Sequence, residues 1–90
     1  MNAERQIVMY GNRWCPYCNM AKRFLKRKGV SFEEINVGRS DEQRRLMEQR
    51  SGRNTVPQVF VGETHLGGYT DLKALDEAGE LDDLLGLAPE

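Results

Sequence analysis

The sequence predicts an α/β fold in which a four-stranded mixed sheet, a parallel βαβ unit followed by a β-hairpin, is flanked by helices. Three observations predict it. A short apolar run at residues 6–10 precedes a stretch with helical periodicity, and a second strand-then-helix pattern occupies residues 31–49. Two further short apolar runs, separated by Gly62-Glu63, then lead into a last helical region.

The first run, Gln-Ile-Val-Met-Tyr, is rich in strand formers and ends at the turn residues Gly11 and Asn12, as a buried strand entering a loop does. From Pro16 to about Lys28, Tyr17, Met20, Ala21, Phe24 and Leu25 recur at helical spacing. Lys22, Arg23, Lys26, Arg27 and Lys28 take the other faces, and Gly29 is a natural stop. Residues 31–37 form the second expected strand, with Phe32, Ile35 and Val37 as its apolar positions. Ser40 or Asp41 caps a helix reaching about Gln49, with Leu46 and Met47 expected to point inward.

Pro57 interrupts the chain before a strand at Gln58–Val61, and Gly62-Glu63 turns it into a short strand at residues 64–66. After Gly67-Gly68, Thr70 or Asp71 is the expected cap of a final helix carrying Leu72, Leu75 and Ala78 on one face, with a further short piece at residues 81–85. Right-handed crossovers and short loops leave few arrangements for this order; it is the minimal thioredoxin-like architecture.

Ninety residues form one compact unit, so a single domain over 1–90 is expected. Lys plus Arg number 13 and Asp plus Glu 14; this near-balance gives no reason to expect nucleic acid or an anionic membrane as partner. No apolar run approaches spanning length, and Asn2, Glu4, Arg5 and Gln6 break up the start, so a cytoplasmic protein is expected.

The chemistry resides in Cys15-Pro16-Tyr17-Cys18. Two cysteines this close enclose a tiny loop, and a bridge between them restricts the unfolded chain little, so the pair serves reaction more than stability. Pro16 suits the first helical position, which puts both sulfurs at one helix start. The unpaired amides and positive dipole end there favour a thiolate on Cys15, the attacking species, and Arg13 adds positive charge nearby. Cys18, one turn in, suits the role of resolving thiol. A zinc site needs more ligands than these two thiols, His65 and scattered carboxylates supply, so no metal is expected. His65 and the basic face of the first helix are read as structural and solvated, respectively. Trp14 is either a recognition surface or a cover for the core edge.

Three motifs in this order, Trp14-Cys15-Pro16-Tyr17-Cys18, Thr55-Val56-Pro57 and Gly67-Gly68-Tyr69-Thr70-Asp71, make nearly the whole chain resemble the dithiol glutaredoxins of bacterial type. The resemblance implies a glutathione-dependent thiol-disulfide oxidoreductase that reduces protein-glutathione mixed disulfides and protein disulfides. Glutathione is then a co-substrate rather than a tightly bound cofactor. It implies a cis bond before Pro57, backbone contacts from Val56 to the cysteine part of glutathione, and Tyr17 and Thr55 beside the tripeptide.

It further implies that the turn at Gly67 and Gly68 lets the following helix N-terminus reach the γ-glutamyl end, whose carboxylate meets the amides of Tyr69 and Thr70, with Asp71 on its ammonium. Arg44 is the position matching the family's long polar side chain for the glycine carboxylate. Where many relatives carry a basic residue three positions before the first cysteine, this chain has Asn12, with Arg13 adjacent; before Thr55 it has Asn54, with Arg53 one step further. Implied partners are glutathionylated or disulfide-containing proteins, with ribonucleotide reductase a candidate acceptor, and the chain is expected to act as a monomer. Reduction by thioredoxin reductase and a cluster-bridged iron-sulfur dimer are the rival readings; Pro16 argues against the second.

Overall fold

The computed structural model describes residues 6–87. The elements run β1 (Ile7–Gly11), α1 (Pro16–Arg27), β2 (Glu33–Asn36), a single 3-10 turn (Val37–Arg39), α2 (Asp41–Ser51), β3 (Gln58–Val61), β4 (Thr64–Gly67), α3 (Tyr69–Glu77) and α4 (Leu81–Leu84). The sheet order is β2-β1-β3-β4. β1 and β2 are parallel, whereas β3 runs antiparallel to both β1 and β4. This is the mixed, thioredoxin-like sheet expected from the order of motifs.

Alternation along β1 and β3 divides the core between the sheet faces. Ile7, Met9, Val59 and Val61 pack with Ala21, Phe24 and Leu25 of α1, Leu72 of α3, and Leu81 and Leu85 at the C-terminal end. Tyr10 and Phe60 meet Val37 and Met47 in a smaller second cluster. There Tyr10 and Phe60 meet edge to face, with centroids 5.7 Å apart. Arg50 closes this side by donating to Tyr10 Oη at 2.9 Å and to the Gly62 carbonyl at 3.0 Å, with its guanidinium over the Phe60 ring.

α1 begins as its residues dictate. Cys15 is the N-cap and Pro16 the first helical residue, Lys26 and Arg27 complement the C-terminal dipole, and Gly29 leaves the helix at φ +81°. Ser40 caps α2, its Oγ accepting from the Gln43 amide at 3.2 Å.

Four expectations are corrected. The second strand is shorter than residues 31–37, because Val37 already turns into the 3-10 segment and buries its side chain there. Leu46 faces outward at 40% exposure while Met47 is fully buried; adjacent helical residues lie about 100° apart, so the narrow inward face of α2 holds only one of them. Ala78 is exposed and caps the C-terminal end of α3 instead of extending its buried face. Finally, α3 starts earlier than Thr70 or Asp71. Gly68 is its N-cap, and Asp71, at the third helical position, reaches back to accept from the Gly68 amide at 2.8 Å.

Candidate functional site

β1 delivers the chain to a loop that ends at the dithiol. Asn12 Oδ1 accepts from the Trp14 amide at 3.0 Å, and the Trp14 ring stands 88% exposed, so it covers no core edge. Cys15 Sγ accepts from the Cys18 amide at 3.1 Å, an interaction that uses one of the donors left unpaired at a helix start. The Cys15 thiol also lies 3.7 Å from the Val56 carbonyl, next to the cis Val56–Pro57 bond.

Cys18 differs sharply from its partner. It is 1% exposed, and burial pushes its thiol up to about 12, with the Cys15 side chain acting in the same direction and Lys22 and the Asn12 backbone opposing. Gly11 is what admits it: a Cβ there would come within 3.0 Å of Cys18 Sγ.

Beside Cys15 a shallow groove is lined by Tyr17, Thr55, Val56, Pro57, Gly68, Tyr69, Thr70 and Asp71, together with Arg53 and Gln58. The sequence-predicted residues from three separated motifs thus meet on one surface. Tyr17, 55% exposed, leans toward Tyr69 with centroids 6.2 Å apart, forming one wall. At the other end, Gly67 has φ +106°, and a side chain on it would overlap Asp71, so only glycine allows this turn. A Cβ on Gly68 would come 3.1 Å from the Pro57 carbonyl, which holds the two loops in close approach.

Arg44 and Arg13 are placed differently. Arg44 donates to the Asn54 carbonyl at 3.2 Å, bracing the loop before Thr55 from behind. Arg13 is exposed on the far side of the dithiol, where it shares a rim with Asn12, Trp14, Asn36, Gly38 and Arg39.

Two groove residues lie outside the predicted set. Arg53 donates to Asp71 at 2.8 Å, and this guanidinium, followed by the Gly68 amide, holds the Asp71 carboxyl below the usual carboxylate range. The signal for Arg53 was its nearness to Thr55, but its partner is eighteen residues away. Gln58 is fully buried and donates to the Thr55 carbonyl at 3.1 Å and Thr55 Oγ1 at 3.2 Å. Its own Oε1 pairs with His65 Nε2 at 2.6 Å, so the ring nitrogen is the donor. His65 therefore braces the loop through Gln58. Among the described residues no cluster of three or more His, Cys, Asp or Glu side chains is arranged to hold a metal, and no helix is long and apolar enough to cross a membrane.

A thioredoxin-like sheet that presents an unequal dithiol at a helix start beside a proline loop defines a thiol-disulfide oxidoreductase. Residues 7–66 match the family model Glutaredoxin. The chain is 51% identical over 79 residues to a glutaredoxin of Pseudomonas aeruginosa, spanning 88% of this chain and 94% of that one. A solution structure of glutaredoxin from Brucella melitensis superposes with a TM-score of 0.79 at 45% identity, covering 94% and 95% of the two chains. A buckwheat glutaredoxin-glutathione complex superposes with a TM-score of 0.84 at 25% identity, covering 93% and 83%. The chain belongs to the glutaredoxin family. It is a glutathione-dependent thiol-disulfide oxidoreductase, with glutathione as co-substrate.

Proposed function

We propose that the chain acts as a single-domain, monomeric, cytoplasmic enzyme that reduces protein-glutathione mixed disulfides and protein disulfides, with Cys15 as nucleophile and Cys18 as resolving thiol. The carrying observation is the inequality of the two sulfurs: Cys15 is half-buried beside the groove, its thiol 3.7 Å from the Val56 carbonyl, while Cys18 is buried with its thiol pushed up to about 12.

In the proposed reaction the Cys15 thiolate attacks the glutathione sulfur of a mixed disulfide. The sulfur-sulfur bond to the protein breaks, the substrate leaves as a thiol, and Cys15 carries glutathione. A second glutathione attacks that adduct, releases oxidised glutathione and restores Cys15. With a protein disulfide, Cys15 first forms the mixed disulfide and Cys18 displaces the substrate; two glutathiones then reduce the Cys15–Cys18 bridge.

Glutathione is assigned to the groove of Tyr17, Thr55, Val56, Pro57, Gly68, Tyr69, Thr70 and Asp71. Its γ-glutamyl carboxylate meets the first amides of α3, where backbone donors and dipole suit an anion, and its ammonium meets Asp71. Arg44 is assigned to the glycine carboxylate and Arg13 to the electrostatic surroundings of the dithiol. Ribonucleotide reductase is one protein acceptor to be tried.

The test is a coupled assay with NADPH, glutathione and glutathione reductase, run on a glutathionylated peptide and on a protein disulfide. Cys15→Ser loses both activities, by about 1000-fold or more. Cys18→Ser keeps removal of glutathione from the peptide and loses most reduction of the protein disulfide. Loss of both in folded Cys18→Ser protein would overturn the assignment.

A further inference from the structure

Behind the dithiol, on the side away from the groove, lies a second hollow of about 250 Å³ that reaches Cys18. Its walls include Gly11 and Asn12 at the end of β1, Arg13 in the loop, Lys22 of α1 and Glu34 of β2. Cys18 and Lys22 are four residues apart on α1 and so share a face. Lys22 Nζ is paired with Glu34 Oε1 at 3.3 Å, and both side chains are partly exposed, so this ion pair stands where the hollow meets solvent.

We propose that this hollow is the route by which the proton of Cys18 leaves, and that Lys22, tethered by Glu34, is a positioning residue that favours the Cys18 thiolate during the resolving step. The inference rests on the reading of Cys18 as the resolving thiol. Once Cys15 carries a partner, the groove side of the dithiol is covered, and the buried thiol must be deprotonated from elsewhere. Lys22 is the cation whose charge opposes the effect of burial on Cys18. The other titratable groups around Cys18 are Cys15, which disfavours its ionisation, and Arg13 and Glu34, which also line the hollow.

The step balances as an exchange. Cys18 loses its proton to water in the hollow, and its thiolate attacks Cys15 of the Cys15-glutathione adduct. The Cys15–Cys18 bond forms, the bond to glutathione breaks, and glutathione departs as a thiolate that takes a proton from solvent; no external oxidant or reductant is consumed.

Single-turnover stopped flow separates the steps. Mixing reduced enzyme with glutathionylated peptide gives release of peptide thiol in the first step and release of glutathione in the second, each followed from pH 6 to 10. Lys22→Gln slows the second step about 3- to 10-fold near pH 7.5 and displaces its rising limb to higher pH, because without the cation less Cys18 is ionised at a given pH. The first step is the internal reference, and Lys22→Arg restores the second-step limb. A second-step limb unchanged in Lys22→Gln, or a Lys22→Arg variant as slow as Lys22→Gln, would overturn this inference alone. If Cys18→Ser released glutathione in the second step at the wild-type rate, the resolving role of Cys18 itself would fall, whatever Lys22 does.

Discussion

The two ends of the sheet solve opposite problems. At the dithiol end polar groups are kept within reach of solvent: Asp71 is shared between Arg53 and the Gly68 amide, the Val56 carbonyl faces Cys15, and Trp14 and Tyr17 stand exposed. At the far end the chain closes on itself. Leu81 and Leu85 are buried against the α1–α3 side, and Lys28 ties α1 to α3 and α4 through Asp76 at 2.5 Å and Asp82 at 2.8 Å. One end therefore carries chemistry at little gain in packing, and the other carries packing with no chemistry. Substitutions at the two ends are expected to separate into those that alter glutathione kinetics and those that alter stability.

The largest effect belongs to the closed end. Leu81 is 0% exposed within the main core, so Leu81→Ala removes buried apolar volume and costs about 2–5 kcal/mol. Urea unfolding should show that loss, while KM for glutathione measured well below the new midpoint stays at the wild-type value. A raised KM in protein that remains folded would mean the two ends are coupled through α3, and the division would fail.

Much of the fold was legible because local signals and tertiary packing agree. Pro16 after Cys15 marks the start of α1, Gly29 marks its end, and Gly62-Glu63 marks the hairpin. What was not legible depends on neighbours distant in sequence. Leu46 and Met47 are equally apolar, and only the positions of Tyr10, Val37 and Phe60 decide which is buried. Thr70 and Asp71 both have capping side chains, yet the helix starts earlier, with Gly68 as its N-cap: Asp71 caps from within the helix, a role that its spacing of three from Gly68 permits but residue type alone does not single out.

At the site the same division holds. The dithiol and the Thr55-Val56-Pro57 and Gly67-Gly68 loops could be read because each motif is contiguous. Arg53 with Asp71, Gln58 with His65, and Lys22 with Glu34 join side chains from separate elements, and no periodicity announces such pairs.

A smaller effect is expected at the open end. Asp71→Asn keeps the shape of the turn but removes the charge proposed to receive the glutathione ammonium, so KM for glutathione rises about tenfold, the size of one charge-assisted hydrogen bond. The acid side of the stability profile also changes. Arg53 and the Gly68 amide depress the folded carboxyl, so Asp71 contributes stability above its unfolded value near 3.8 and loses that contribution as pH falls through the lower folded value. Stability of Asp71→Asn should therefore fall less steeply than wild type below about pH 4. An unchanged KM would leave the ion pair with a purely structural part and blur the distinction between the two ends.

The smallest effect tests whether the Lys28 tie matters once Leu81 and Leu85 are buried. Lys28 bridges two carboxylates that remain partly exposed, so solvent screens the attraction, and Lys28→Met is expected to cost less than about 1 kcal/mol while keeping the aliphatic stem packed. Its pH signature has the opposite sense to that of Asp71. Asp76 and Asp82 raise the folded Lys28 ammonium above its ordinary 10.5, so its contribution is fully present below that value and disappears as pH rises through the folded one. Chemical unfolding at pH 8 should show the small deficit of Lys28→Met, and the two proteins should converge as pH rises above 10.5. A deficit as large as that of Leu81→Ala would show that the far end is held by charge rather than by packing, because the burial of α4 would then depend on the tie that fastens it.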